Sequence, residues 1–261
     1  VKVYLAGAST DTAYCLQAGA TRALTSFAEP IGQREAVLGS FPDVLLDSGA
    51  FTAFTLGKPI KLADYCAYLI EKQPKHYFNL DVIGDHDATL ANYKRMVDKG
   101  FNPIPVFGYG GDLKYLREYC AMTDYVALGG LVPVTRFKAK LARWLNHCWQ
   151  FLSKQRQGDT LVRVHGLGVS SVWALERYPF YSVDSTTWLV GNKFKELILA
   201  DGKRVRPNRK LQRTANAHAL SAIAQADNHQ SRAAMVRFNV GQLLETEKHV
   251  TRLWEHRGVR W

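Results

Sequence analysis

One unit recurs along most of the chain: a short apolar run of β type, then a longer segment with helical period. The runs are KVYLA (2–6), RALTS (22–26), DVLL (43–46), YFNL (77–80), PIPVF (103–107), YVAL (125–128), VRVH (162–165) and YSV (181–183). Helical segments between them include 61–72, 87–99, 112–120 and 136–155. Strands that are apolar on both sides belong in parallel sheets covered on both faces. Eight such repeats predict a TIM-type (β/α)8 barrel spanning residues 1–190. An open doubly wound sheet is the competing architecture. It calls for a phosphate-cradling glycine turn after its first strand, and AGAST is a poor match to that pattern.

A barrel of this kind carries its chemistry at the C-terminal ends of the strands. Asp47 follows the third run in LLDSGAF, Asp81 follows the fourth in FNLDVIGD, and Asp184 follows the eighth in YSVDSTTW. Glycine-rich stretches end three others: FGYGG (107–111), GGL (129–131) and HGLG (165–168). An aspartate in such a place is also a common helix N-cap, and Asp85, His86 and Asp87 are read as capping the next helix. Three acids at equivalent positions point instead to one shared rim. Two carboxylates flanking an anomeric carbon are what glycosidic chemistry requires. A third accepts hydrogen bonds from a base edge that displays N–H groups, as guanine does. Phe51 and Leu167 are placed to sandwich a flat base. His165, at a strand end, is read as a structural or substrate-bonding group.

The ordered set LLDSGAF, LDVIGD, GGL, HGLGV and YSVDSTTW resembles the tRNA-guanine transglycosylase superfamily over about residues 40–190. The nearest resemblance is to its phage and bacterial 7-deazaguanine DNA transglycosylases of the DpdA type. That resemblance implies Asp184 as the nucleophile on C1′ and Asp47 as the proton-transfer or base-contacting acid, with Ser48 and Gly49 shaping its turn. It implies Asp81 as reader of the base edge, and Gly129, Gly130 and the amide of Leu131 as the backbone meeting the base carbonyl. Phe51 and Leu167 become the stacking pair. Tyr109 stands where the family usually has glutamine, and Ala50 where a second glycine is common. The tRNA enzymes' zinc-binding cysteines have no counterpart, since no cysteine follows Cys148, so no metal and no other cofactor is expected.

Charge is unevenly placed: residues 1–188 carry 20 Lys/Arg against 17 Asp/Glu, and residues 189–261 carry 14 against 6. The latter segment breaks the βα rhythm and reads as a basic, helical C-terminal appendage (191–261) packed beside the barrel, with helices over 211–225 and 233–256. A basic tail suits a polyanion. Arg204, Arg206, Arg209, Lys210 and Arg213 are candidates to grip phosphates, and Trp188 to stack on a flanking base. The expected partners are DNA, with tRNA as the alternative, and a free 7-deazaguanine base such as preQ0. Two other readings compete: a non-catalytic nucleic-acid-binding relative, and a barrel hydrolase of small nucleosides. Four scattered cysteines without a CxxC pair read as reduced thiols. No run approaches a membrane span and no signal peptide is evident, so a cytoplasmic location is expected.

Overall fold

A computed structural model of the chain describes residues 1–189, 196–205 and 228–261. Its centre is an eight-stranded parallel sheet: β1 (Lys2–Ala6), β2 (Arg22–Ser26), β3 (Asp43–Asp47), β4 (His76–Tyr77), β5 (Val106–Gly108), β6 (Tyr125–Gly129), β7 (Arg163–Gly166) and β8 (Ser182–Ser185). The order across the sheet is β4-β3-β2-β1-β8-β7-β6-β5. β1 therefore pairs with β8, in register Lys2 with Ser182 through Leu5 with Ser185. A doubly wound sheet does not bring its first and last strands together in this way. The chain is an α/β fold with a curled parallel sheet, compatible with a TIM-like architecture.

The two remaining edges, β4 and β5, approach each other at one parallel bridge, Phe78 with Ile104. Ile104 N–H donates to Tyr77 O at 2.8 Å, and Ile104 O accepts from Asn79 N–H at 3.0 Å. The prolines at 103 and 105 have no N–H to give, which confines regular pairing on this side to Val106 onward. The side chain of Asn79, fully buried, fills the gap by accepting Val106 N–H at 2.8 Å.

Alternation along the strands separates an inner from an outer layer. Tyr4, Ala6, Leu24, Leu45, Tyr125 and Ala127 share one core cluster with Phe78, Ile104 and Val106. The intervening residues go to other clusters: Leu5, Ala23 and Val44 to one, Val126, Leu128, Val164 and Val183 to another, and Leu46 to a third. Asp47 has the parity of Leu45, and Asp184 that of Ser182, opposite to Val183. Helices clothe the outside: α1 (Thr12–Gln17), α2 (Ile31–Ser40), α3 (Ala50–Thr55), α4 (Leu62–Lys72), α5 (His86–Asp98), α6 (Leu113–Met122), α7 (Val132–Thr135), α8 (Lys138–Leu152), α9 (Val172–Arg177) and α10 (Asn228–His256). No helix among the described residues is long and apolar enough to cross a membrane.

The C-terminal helix packs directly on the sheet. Val236, Val240 and Leu243 of α10 bury themselves with Leu5, Cys15 and Ala23, while Val250 and Trp254 join the main cluster with Leu175. Trp254 donates its indole N–H to Leu175 O at 2.8 Å. Glu247 accepts from Val3 N–H at 2.7 Å and pairs with Arg22. The helix thus covers β1 between α1 and α9, and a boundary at residue 190 does not separate it from the sheet's core. Its apolar residues were legible; that they complete the wall of the sheet was not. The expected helix over 211–225 lies outside the described residues. Trp254→Ala is expected to cost about 3–5 kcal/mol of unfolding free energy, measured by urea denaturation, in a single transition that includes the sheet.

Candidate active site

Strand parity and the ends of β3 and β8 bring the chemistry to one rim. On β8, Asp184 is buried, and its Oδ1 accepts from Gly168 N–H at 2.8 Å and lies 3.3 Å from His165 Nε2. The other ring nitrogen of His165 is 2.6 Å from Ser182 Oγ, which is in turn 2.6 Å from the Tyr125 hydroxyl. All four side chains are buried. One directional assignment satisfies every member: Tyr125 O–H to Ser182, Ser182 O–H to His165 Nδ1, His165 Nε2–H to the carboxylate. Such a chain has its donors all pointing toward Asp184, which orients the acid and leaves Oδ2 without a partner among the described residues. Ser182 and Tyr125 were missed by sequence reading. The only available signal was polar residues at inward parity, Ser182 and Asp184, on an apolar strand.

Asp47 ends β3. Its Oδ2 accepts from Gly49 N–H at 2.9 Å and from Ser26 Oγ at 3.4 Å. Burial, the negative charge of Asp81 and that of Asp184 push its carboxyl up to about 7, against the two hydrogen bonds that lower it. The charges of both other acids therefore bear on Asp47. Asp81 is also raised above the usual carboxylate range, by burial first, with the Ser48 hydrogen bond opposing.

The DSG turn links two acids. Gly49 folds back on Asp47, whereas Ser48 Oγ, fully buried, donates to Asp81 Oδ1 at 2.9 Å. Ser48 thus serves the neighbouring acid as well as the turn. Gly49 has φ of +79°, and a Cβ there would lie 2.5 Å from Ala28 Cβ, so glycine is required twice over.

The other expected residues are distributed as follows. Gly129 ends β6, Gly130 follows with φ of +67°, and the side chain of Leu131 is fully buried. The N–H groups of Gly130 and Leu131 donate to no acceptor among the described residues. Tyr109, 40% exposed, and Gly130 line a cavity of about 200 Å³ with Asp81, His86 and Gly108. Asp81 also borders a second cavity of about 160 Å³ with Phe54 and Leu80, but neither Asp47 nor Asp184 lines either space. Phe51 is exposed on α3, and Leu167 is half-buried against the Gly129 backbone. Asp85 caps α5, accepting Ala88 N–H at 2.8 Å, and Asp87 accepts the Tyr115 hydroxyl at 2.7 Å.

Trp188 requires a correction. It is fully buried against Leu5 and Val240, and its indole N–H donates to Ala6 O at 3.1 Å. A stacking platform needs an open ring face, so Trp188 is a core residue. Arg204 is exposed beside a cavity of about 480 Å³ that Gly168, Thr187 and Arg136 also line. Arg206, Arg209, Lys210 and Arg213 lie outside the described residues. Among those that are described, no group of His, Cys, Asp and Glu is arranged to hold a metal ion.

No protein-family model matches the chain, and a search of the curated proteins returns no match. The functional reading accordingly stands on the site.

Two outcomes follow from this geometry. Unfolded Asp47 ionises near 3.8 and folded Asp47 near 7, so in that window the folded state holds the extra proton and stability falls as pH rises. Asp47→Asn should flatten this decline in denaturation curves taken across the window, and the variant should be the more stable protein above it. Ser182→Ala removes the link between two buried polar groups and is expected to cost about 1–3 kcal/mol, read by the same denaturation.

Proposed function

We infer that the protein is a base-exchange transglycosylase on a TIM-type (β/α)8 barrel, replacing guanine in DNA with a 7-deazaguanine base such as preQ0. The observation that carries this reading is the division of labour among the rim acids. One is oriented by two donors on a single oxygen, one is poised to carry a proton near neutral pH, and one faces a cavity.

In the first half-reaction Asp184 Oδ2 attacks C1′ of the target nucleotide, and the C1′–N9 bond breaks with its electron pair leaving on guanine. Protonated Asp47 supplies the proton that the departing base takes up. In the second half the incoming base gives its N9 proton to Asp47. N9 then attacks C1′, and the ester to Asp184 breaks. Two inversions retain the sugar configuration, and atoms and charge balance over the cycle. Asp81 accepts from the N–H edge of the base, while the N–H groups of Gly130 and Leu131, without an acceptor among the described residues, suit its carbonyl oxygen. Phe51, Leu167 and Tyr109 border the base. His165, with Ser182 and Tyr125 behind it, holds Asp184 in place.

DNA is preferred over tRNA because the chain lacks the cysteine cluster of the tRNA enzymes. A base inside a duplex must also be turned out of the stack before Asp184 can reach its sugar, at a cost of a few kcal/mol.

Incubation with DNA and radiolabelled 7-deazaguanine base is expected to transfer label to the polymer. Asp184→Ala should abolish transfer, and Asp47→Asn should slow it by about 10²–10⁴-fold. Label transfer retained by Asp184→Ala would exclude the assignment. Release of free guanine without incorporation would make the protein a hydrolase.

A further inference from the structure

Helix α8 has the wrong electrostatics for a helix. Residues 136–155 contain Arg136, Lys138, Lys140, Arg143 and Lys154 and no Asp or Glu. Lys138 and Lys140 sit in its first turn, where the backbone N–H groups already present positive charge, and Phe137 provides no side-chain cap. Lys140 and Arg143 are three apart on one face, a like-charge spacing that also destabilises. Neither forms an ion pair with a carboxylate among the described residues. Lys140 Nζ lies 5.1 Å from the Phe137 ring centroid, and both cations are exposed, where an anion can reach them.

The same helix supplies aromatic surface. Tyr109, Lys140, Arg143, Trp144 and His147 line a cleft of about 400 Å³. Every one of these side chains is aromatic or basic. Trp144 is stacked on Phe107 with centroids 5.5 Å apart, and the Tyr109 ring lies 5.2 Å from it. Phe107 is fully buried, so the indole rests on the sheet's core and is held rigid. The Trp144 N–H is buried without an acceptor among the described residues. Flat π faces among cations are the chemistry that receives a nucleotide, with its base on the rings and its phosphate on the cations.

Tyr109 joins this cleft to the proposed base pocket, for it lines both the cleft and the cavity of Asp81 and Gly130. We propose that the Tyr109–Trp144 cleft on α8 is a second nucleotide subsite, holding a single-stranded segment next to the target, with its base against Trp144 and its phosphates on Lys140 and Arg143. This rests on the reading of the protein as acting on nucleic acid, and it deepens that reading by naming how the strand is gripped.

The test is equilibrium binding of the full chain to a fluorescent single-stranded DNA 12-mer, and to the same 12-mer with abasic sites, over a range of salt. Lys140→Gln/Arg143→Gln is expected to weaken binding about tenfold or more at low salt, and to lower the slope of log K against log salt by about 1.4, at about 0.7 per phosphate contact on a single strand. Trp144→Ala should weaken binding by about 5- to 150-fold, but only to the base-bearing strand. Because Trp144 packs on Phe107, Trp144→Phe is a second variant that keeps an aromatic face; it should retain most of the affinity. An unchanged salt slope in the double variant overturns the subsite, as does equal binding of abasic and base-bearing strands, or no strand binding by the unmodified protein. Label transfer is measured separately. Transfer with an unchanged slope leaves the transglycosylase standing without this subsite, and a lowered slope without any transfer leaves the subsite standing without the transglycosylase.

Discussion

The architecture depends on what happens where β4 and β5 meet. Parallel strands buried on both faces leave no water to satisfy an open edge, and the prolines at 103 and 105 remove two N–H donors where the edges meet. One bridge and the side chain of Asn79 supply the missing bonds: Asn79 N–H reaches Ile104 O, and Asn79 Oδ1 accepts Val106 N–H. Its amide nitrogen meanwhile donates to Thr89 O at 3.3 Å, tying the meeting point to α5. Asn79 precedes Asp81 by two residues, so the polar side chain that joins the edges also fixes the strand from which the third acid emerges.

Once the sheet is curled, parity decides the chemistry. Leu45 and Asp47, or Ser182 and Asp184, share a face because successive side chains alternate. Apolar residues occupy the lower inner positions, and polar ones take over toward the rim. A buried carboxylate is costly unless bonded, and each acid meets that requirement differently. Asp184 receives a backbone N–H and an imidazole; Asp47 holds its proton near neutral pH; Asp81 takes a serine hydroxyl and borders a cavity. Three identical functional groups thus stand in three distinct environments.

Much of the fold is legible in the sequence. The strands 2–6 and 22–26 coincide with the expected runs, and the others are displaced by one to three residues at their ends. YFNL and PIPVF shrink the most, because proline and the Asn79 side chain replace regular pairing there. Asp47, Asp81 and Asp184 stand out in the sequence because an acid closing an apolar run is conspicuous. Trp188 was misjudged for a related reason: a tryptophan in a polar stretch looks available for stacking, and only packing against Leu5 and Val240 reveals it as core.

By itself the sequence determined the βα rhythm, the strand ends that carry carboxylates and the excess of cations, because these are properties of local pattern and composition. Tertiary structure alone decided which polar groups pair across strands. Tyr125 reaches Ser182, and Ser182 reaches His165, through contacts between residues 57 and 17 apart in the chain. It likewise decided that α10 covers β1 and that Tyr109 meets Trp144. Such contacts depend on strand register and on how far each strand tilts around the curled sheet, which no local run of residues encodes.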